Sequence, residues 1–195
     1  IEERCGFGIQ KWVDGAVYEG YWLNNKAEGK GTFWHAEGDI YIGEFRADQA
    51  YGYGVYTHVN GSRYEGEWVN DVQQGQGEET WADGARYNGN YENGMKNGYG
   101  VYTWADGSVF KGSWEHNKIT GYGIYQWQDG RSYEGYWENN NMHGEGHYRW
   151  PDGRNYRGHY IDDKKEGYGV YSYPDGRVYK GAWKAGFLNR VRPTV

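Results

Sequence analysis

Hydrophobic positions in this chain fall in short alternating runs rather than in blocks. In Tyr133-Glu-Gly-Tyr-Trp137, an extended backbone puts Tyr133, Gly135 and Trp137 on one side and Glu134 on the other. Seven residues after Trp137 a second run opens with Gly144-x-Gly146 and continues to Tyr148-x-Trp150. Alternation with period 2 is the signature of strands and is incompatible with a helical stripe. Polar stretches separate the runs. Asp-Gly pairs close the second run: Asp83-Gly84, Asp106-Gly107, Asp129-Gly130, Asp152-Gly153 and Asp175-Gly176, with Asn60-Gly61 in the same place. Such pairs suit tight hairpin turns that need positive φ. The pattern therefore predicts strand, polar loop, strand, tight turn, repeated along the chain.

The repeat is strict. Tyr18, Tyr41, Tyr64, Tyr87, Phe110, Tyr133, Tyr156 and Tyr179 follow one another at intervals of 23 residues without an insertion. With the leading ring as position 1, glycine occupies positions 3, 12, 14 and 21, and these columns hold 32 of the 34 glycines. Position 5 is always aromatic, from Trp22 and Phe45 to Trp183. A half repeat occupies residues 1–17, full repeats start at 18, 41, 64, 87, 110, 133 and 156, and a partial repeat covers 179–186. Residues 187–195 leave the register, because position 12 is Arg190 instead of Gly. The N-terminal edge reads as a truncation, since the chain opens at Ile1 inside a repeat, and the C-terminus reads as a natural end.

Composition sharpens this picture. Leu, Ile, Val and Phe together number 26 of 195, and the formal charge is −6, values that by themselves point to disorder. Aromatic residues at 19% point the other way, because each buries roughly 150–250 Å². The 23-residue frame resolves the conflict: 28 of the 38 aromatic residues stand in fixed columns beside the glycines. Glycine inside a strand marks close approach of another group, here rings lying flat over bare backbone. With only 2 Leu, a helical bundle is excluded, and no apolar run reaches the ~18 residues of a transmembrane helix. The single cysteine, Cys5, excludes an internal disulfide framework and fits a reducing compartment. The expected fold is an all-β single rod of consecutive antiparallel hairpins. About 16 strands at ~4.8 Å each would give a rod about 75–80 Å long, with each repeat packing only on its neighbours.

Tyr64-Glu-Gly66-Glu-Trp68 followed by Gly75-Gln-Gly77 and Asp83-Gly84 resembles the MORN (membrane occupation and recognition nexus) repeat family, over residues 6 to about 186. Departures are few: Glu79 replaces the aromatic at position 16, and His35 and His58 replace Trp at position 18. The resemblance implies an elongated hairpin rod used for protein binding, dimerisation and organisation of membrane-associated cytoskeleton. Similar arrays also accompany lipid-kinase and lysine-methyltransferase domains, junctional membrane proteins and ciliary radial spokes. An uninterrupted array looks most like the cytoskeletal scaffold members of protists, which implies a cytoplasmic protein associated with cytoskeleton or membrane.

Candidate chemistry is sparse. His143-Gly-Glu-Gly-His147 lacks the helical placement of a zinc-protease motif, and strand spacing sets the two histidines roughly 13 Å apart. His35 and His58 share a column two strands apart, about 10 Å, and are expected to fill the space that Trp takes elsewhere. Gly-x-Gly recurs in every copy, as in Gly98-Tyr-Gly100, so it is structural rather than a phosphate-binding loop. An acidic chain with pI ≈ 5.5 lacks the electropositive groove of a nucleic-acid binder. The expectation is a non-enzymatic protein without cofactor, metal or nucleic-acid partner.

Charge is uneven. Residues 1–98 carry 8 basic and 16 acidic groups, whereas residues 99–195 carry 13 and 11. At position 22, Ala16, Asp39, Ser62, Ala85 and Ser108 give way to Arg131, Arg154 and Arg177, a candidate basic ridge. Such a ridge could meet anionic phospholipid or the acidic residues of a protein. The polar loops, assigned to positions 6 to 11, carry the apolar residues Val72, Met95, Ile119 and Met142, candidates for facing a partner. Phe187, Leu188, Val191 and Val195 form an apolar tail able to cap the open edge or to join a homodimer. The sequence thus favours a scaffold with a protein partner and a homodimer contact. The alternative is a phospholipid-binding or targeting module of a larger membrane-associated protein such as a lipid kinase.

Overall fold

A computed structural model of the chain describes residues 3–189. All regular structure among the described residues is β-strand, in seventeen elements, and none is helical. The chain divides into two compact units, Ile1–Lys96 and Asn97–Val195. The first holds β1 (Gly6–Lys11), β2 (Val17–Leu23), β3 (Lys26–Trp34), β4 (Ile40–Arg46), β5 (Gln49–Thr57), β6 (Arg63–Val69), β7 (Val72–Thr80) and β8 (Arg86–Glu92). The strand β9 (Met95–Thr103) carries the chain into the second unit. There follow β10 (Val109–Glu115), β11 (Lys118–Gln126), β12 (Ser132–Glu138), β13 (Asn141–Arg149), β14 (Asn155–Ile161), β15 (Lys164–Ser172), β16 (Val178–Lys184) and β17 (Phe187–Leu188). Within each unit, every strand pairs antiparallel with its neighbour in sequence, from β1–β2 to β7–β8 and from β9–β10 to β16–β17.

Two kinds of hairpin alternate. The Asp-Gly segments are five-residue connections and not two-residue turns: Trp12 to Ala16 joins β1 to β2. Gly15 N–H donates to the Trp12 carbonyl, and Gly15 alone takes positive φ, at 99°. Asp14 stays in an ordinary conformation and accepts from Ala16 N–H through Oδ1 at 3.0 Å. This is a type I turn closed by a glycine bulge. The connections expected as polar loops at positions 6 to 11 are the tighter ones. Only positions 7 and 8 lie outside strands, as in Asn24-Asn25 (φ 48° and 67°) and Asn139-Asn140 (φ 48° and 70°). Two consecutive positive φ values define the mirror-image turn whose twist matches paired strands.

Val72, Met95, Ile119 and Met142 are therefore strand residues, each first or second in its strand. Ile119 is buried at 5% exposure and does not face outward.

Glycine serves two separate purposes. At positions 3 and 14 it makes room. Gly20 faces Gly31 across β2–β3, and a Cβ on Gly31 would stand 2.5 Å from the Tyr18 hydroxyl. The position 1 ring thus lies over a bare glycine pair, as expected, and its hydroxyl reaches the carbonyl three residues on. Tyr18 donates to Tyr21 O at 2.8 Å, and Tyr133 donates to Tyr136 O at 3.0 Å. At position 12 glycine serves the backbone. Register slips between Gly20↔Gly31 and Trp22↔Ala27, leaving Tyr21 opposite Glu28, Gly29 and Lys30, and Gly29 takes φ 76°. Beta-bulges of this kind need a residue with left-handed freedom.

The core of each unit is a column of rings. Tyr18, Tyr64, Tyr87, Phe110, Tyr133 and Tyr156 are at most 2% exposed. Each packs edge-to-face on the position 5 ring of its own repeat, as Tyr18 does on Trp22 at 5.0 Å and Tyr133 on Trp137 at 5.1 Å. Successive turns also tie to one another. Asp71 N–H donates to Ala50 O at 3.0 Å, and Ala50 N–H returns a bond to Asp71 Oδ1 at 2.7 Å.

Candidate interaction surfaces

Each unit presents two different faces. One is an aromatic groove. Beside the core column, rings at positions 16 and 18 stack along the repeats: Phe33, His35, Tyr56 and His58 in the first unit at centroid distances of 4.6 to 5.5 Å. The second unit has a stack of its own in Tyr125, Trp127, Tyr148 and Trp150, at 4.5 to 5.3 Å. His35 and His58 thus take the place of Trp as stacked rings. Asp39 anchors His58 Nδ1 at 3.1 Å and accepts from Tyr56 at 2.8 Å and from Val59 N–H at 2.9 Å. These bonds, the Val59 N–H foremost, hold the Asp39 carboxyl below its ordinary range. Glu79 interrupts the stack and accepts from Tyr91 at 2.8 Å.

The other face is open. Phe7, Tyr21, Tyr53, Tyr99, Tyr122, Tyr136 and Tyr168 project from positions 4 and 13 and are 47 to 65% exposed. Phe7 meets Tyr21 edge-to-face at 5.6 Å, and Tyr122 meets Tyr136 at 5.5 Å. Tyr53 donates to Glu65 at 2.6 Å, and Tyr122 to Glu134 at 2.8 Å. Columns 4 and 13 vary among Tyr, Phe, Lys, Glu, Gln, Asn, His, Ser and Ala, and that irregularity hid them in the sequence.

Arg131, Arg154 and Arg177 do fall in equivalent turns, but none carries unpaired charge. Each donates Nε to the Asp two residues before it, at 2.7 Å: Asp129, Asp152 and Asp175. Their guanidinium carbons lie 4.5 to 5.4 Å from the rings of Trp127, Trp150 and Tyr173. Arg131 also donates to Tyr148 of the next repeat at 3.1 Å. The column is thus a row of compensated pairs, because the Asp that shapes the turn sits beside the arginine it orients.

At the C-terminal end, Phe187 and Leu188 form β17 against β16, in register Trp183↔Leu188 and Lys184↔Phe187. Phe187 is 78% exposed. Val191 and Val195 lie outside the described residues. His143 and His147 have separate partners: His143 Nε2 lies 3.2 Å from Glu138, and His147 Nε2 lies 3.2 Å from Asn155. The described residues contain no group of three or more side chains able to hold a metal ion.

The family model for the MORN repeat matches eight consecutive segments: residues 3–17, 18–40, 41–63, 64–86, 87–109, 110–130, 133–153 and 156–176. The chain belongs to the MORN repeat family. No curated protein matches it. Among solved structures, it is similar to the TCP domain of Drosophila melanogaster SAS-4 (dCPAP), solved with a proline-rich motif of Ana2. That match has 11% identity and a TM-score of 0.48, over 89% of this chain and 88% of that one. The G-box domain of the microcephaly protein CPAP matches at 14% identity and a TM-score of 0.48, over 92% of this chain and 100% of that one. Values this low assign neither partner nor activity here.

Within the MORN frame, position 10 is the column that varies most in the groove: Arg4, Ala27, Ala50, Gln73, Lys96, Ile119, Met142, Lys165 and Leu188. Lys165 Nζ stands among four rings, 5.6 Å from Trp150, 5.1 Å from Tyr156, 5.9 Å from Tyr171 and 5.2 Å from Trp183. Lys96 lies 5.1 Å from Trp81 and 5.3 Å from Tyr87. Burial lowers the pKa of both ammonium groups. Where position 10 is alanine, cavities remain: one of about 330 Å³ beside Ala27 and one of about 310 Å³ beside Ala50.

Proposed function

We propose that this chain is a non-enzymatic interaction scaffold whose repeated columns bind another protein, in cytoplasm and beside membrane-associated cytoskeleton. The observation that carries the proposal is the open face of each unit, where tyrosines half exposed to solvent recur at positions 4 and 13. Tyrosine offers large contact area with a polar tip and is enriched where proteins meet. A photo-crosslinking side chain placed at position 53 or 136 is expected to capture discrete protein partners in cells. The same group at Glu37, in an exposed turn, is expected to capture none. Equal labelling from all three sites, or labelling of lipid alone, would refute the scaffold.

The tail is the proposed homodimer contact, since Phe187 is exposed beside the incompletely covered strand β16. Deleting residues 187–195 is expected to leave folded monomers by multi-angle light scattering. An unchanged dimer mass would remove the tail from the interface. Anionic phospholipid is the weaker partner, because each candidate arginine already faces an aspartate.

A further inference from the structure

We infer that the cavity beside Ala50 is an ammonium-binding cage for a lysine side chain of a partner protein. The molecule contains its own template for the site. The four rings around Lys165 come from positions 18, 1, 16 and 5 of successive repeats: Trp150, Tyr156, Tyr171 and Trp183. The same four positions supply His35, Tyr41, Tyr56 and Trp68 around Ala50. Strand register is also the same, with Tyr160↔Lys165 matching Phe45↔Ala50. An alanine in place of lysine therefore leaves the cage standing and its cation missing.

Two features make the Ala50 cage the better cation site. Aromatic faces attract an ammonium group at ~6 Å or less, and here carboxylates join them. Asp48 and Asp71 both line the cavity, and Asp71 is oriented by the Ala50 N–H at 2.7 Å. The position equivalent to Asp71 beside Lys165 is Gly186, which has no side chain. The surrounding charge agrees, since residues 1–98 carry 16 acidic against 8 basic groups. Field and rings thus select a cation rather than an apolar group.

Position also sets the form of the ligand. The Ala27 cage, lined by Trp12, Tyr18, Phe33 and Phe45, lies two strands away from the Ala50 cage. Two strand spacings are about 10 Å, which matches one polyproline II turn of three residues at ~3.1 Å each, whose i and i+3 side chains point the same way. A segment crossing the strands with lysines at i and i+3 would place one ammonium in each cage. Arg4 already covers Trp22 at 4.1 Å on the rim of the Ala27 cavity, so the Ala50 cage is the primary site.

The cage lies on the face opposite the exposed tyrosines and is tested separately from them. The probe is an acetylated, amidated peptide Lys-Gly-Gly-Lys, titrated into the full chain and followed by NMR at the Trp68 indole. Twin peptides carry acetyl-lysine or norleucine. The lysine peptide is expected to shift Trp68 with an affinity at least tenfold above either twin. Ala50→Lys, which plugs the cage as residue 165 does in its own repeat, is expected to abolish the shift while the fold persists. Lys165→Ala is expected to open a new cage and shift Trp183 on titration. Equal affinity for the norleucine peptide, or an unchanged response in Ala50→Lys, would overturn the inference. Binding of phosphatidylcholine vesicles through the cage without any peptide response would overturn the assignment to lysine. Crosslinking from position 53 that survives Ala50→Lys would leave the scaffold intact whatever happens to the cage.

Discussion

The substitution Gly146→Ala tests how this fold is held together. Gly146 faces Gly135, and the Tyr133 ring covers both. A Cβ on Gly146 would fall well inside van der Waals contact of the Tyr133 hydroxyl and ring carbons. That ring has 0% exposure. If the ring shifts within the core, overpacking costs about 1–3 kcal/mol. If it is expelled, roughly 150–250 Å² returns to water, worth about 4–6 kcal/mol at ~25 cal/mol per Å². Gly84→Ala is the control. Gly84 has nothing within 4 Å of its would-be Cβ, only φ 91°, so the cost is conformational, about 1–2 kcal/mol.

Repeat arrays need not unfold in one step, so the assay is hydrogen exchange of the β12–β13 amides beside a urea melt. Gly146→Ala is expected to cost more than Gly84→Ala, and at least twice as much where the ring is expelled, with protection lost first around β12. The pair Tyr133→Ala and Gly146→Ala is expected to be non-additive by at least about 1 kcal/mol, because removing the ring removes the clash. Equal destabilisation by Gly146→Ala and Gly84→Ala, with additive doubles, would refute packing of rings on glycine.

Three further outcomes follow from the same geometry. Burial pushes Tyr18 and Tyr156 up to about 12 from 10.0. Between those values the unfolded chain releases protons that the native state keeps, so stability is full below pH 10 and falls as pH rises; an alkaline urea-midpoint series flat to pH 11 would contradict this. Asn140→Ala is expected to lose about 1–2 kcal/mol in a urea melt, since Asn140 holds φ 70° and accepts from Ile119 N–H at 2.9 Å. Asn140→Gly, which keeps the backbone freedom, is expected to lose less. Replacing Arg131, Arg154 and Arg177 with alanine is expected to leave flotation with anionic liposomes unchanged, and a salt-sensitive loss of flotation would restore the arginines as a lipid site.

The strand pattern was legible because period-2 alternation reports one property, which side of a strand is covered. Turn chemistry was harder to read. Position 8 is Asn25, Asp48, Asp71, Gly94, Asn117, Asn140, Asp163 or Gly186, a column restricted to residues that tolerate positive φ. That signal marked two-residue turns and was masked by the polar residues around it. Treating positions 6 to 11 as loop then placed Ile119 outside, although it sits in β11 beneath the rings. The arginine column was legible as a column, but its charge was not. Asp129, Asp152 and Asp175 were visible in sequence as turn residues, and only side-chain directions brought their second oxygen to the arginine.

The sequence by itself determined the repeat frame, the strands and the pairing of rings with glycine, because a 23-residue period writes each local requirement eight times. Averaging over copies turns weak preferences into certain ones. What differs between copies needed the tertiary structure. Position 10 is scattered in sequence as Arg, Ala, Gln, Lys, Ile, Met and Leu, with no motif in it. Only the fold brings the rings of successive repeats around that position, so that Lys165 fills a cage and Ala50 leaves one open. A cavity is the joint product of residues far apart in sequence. It therefore has no local signature for the chain to carry.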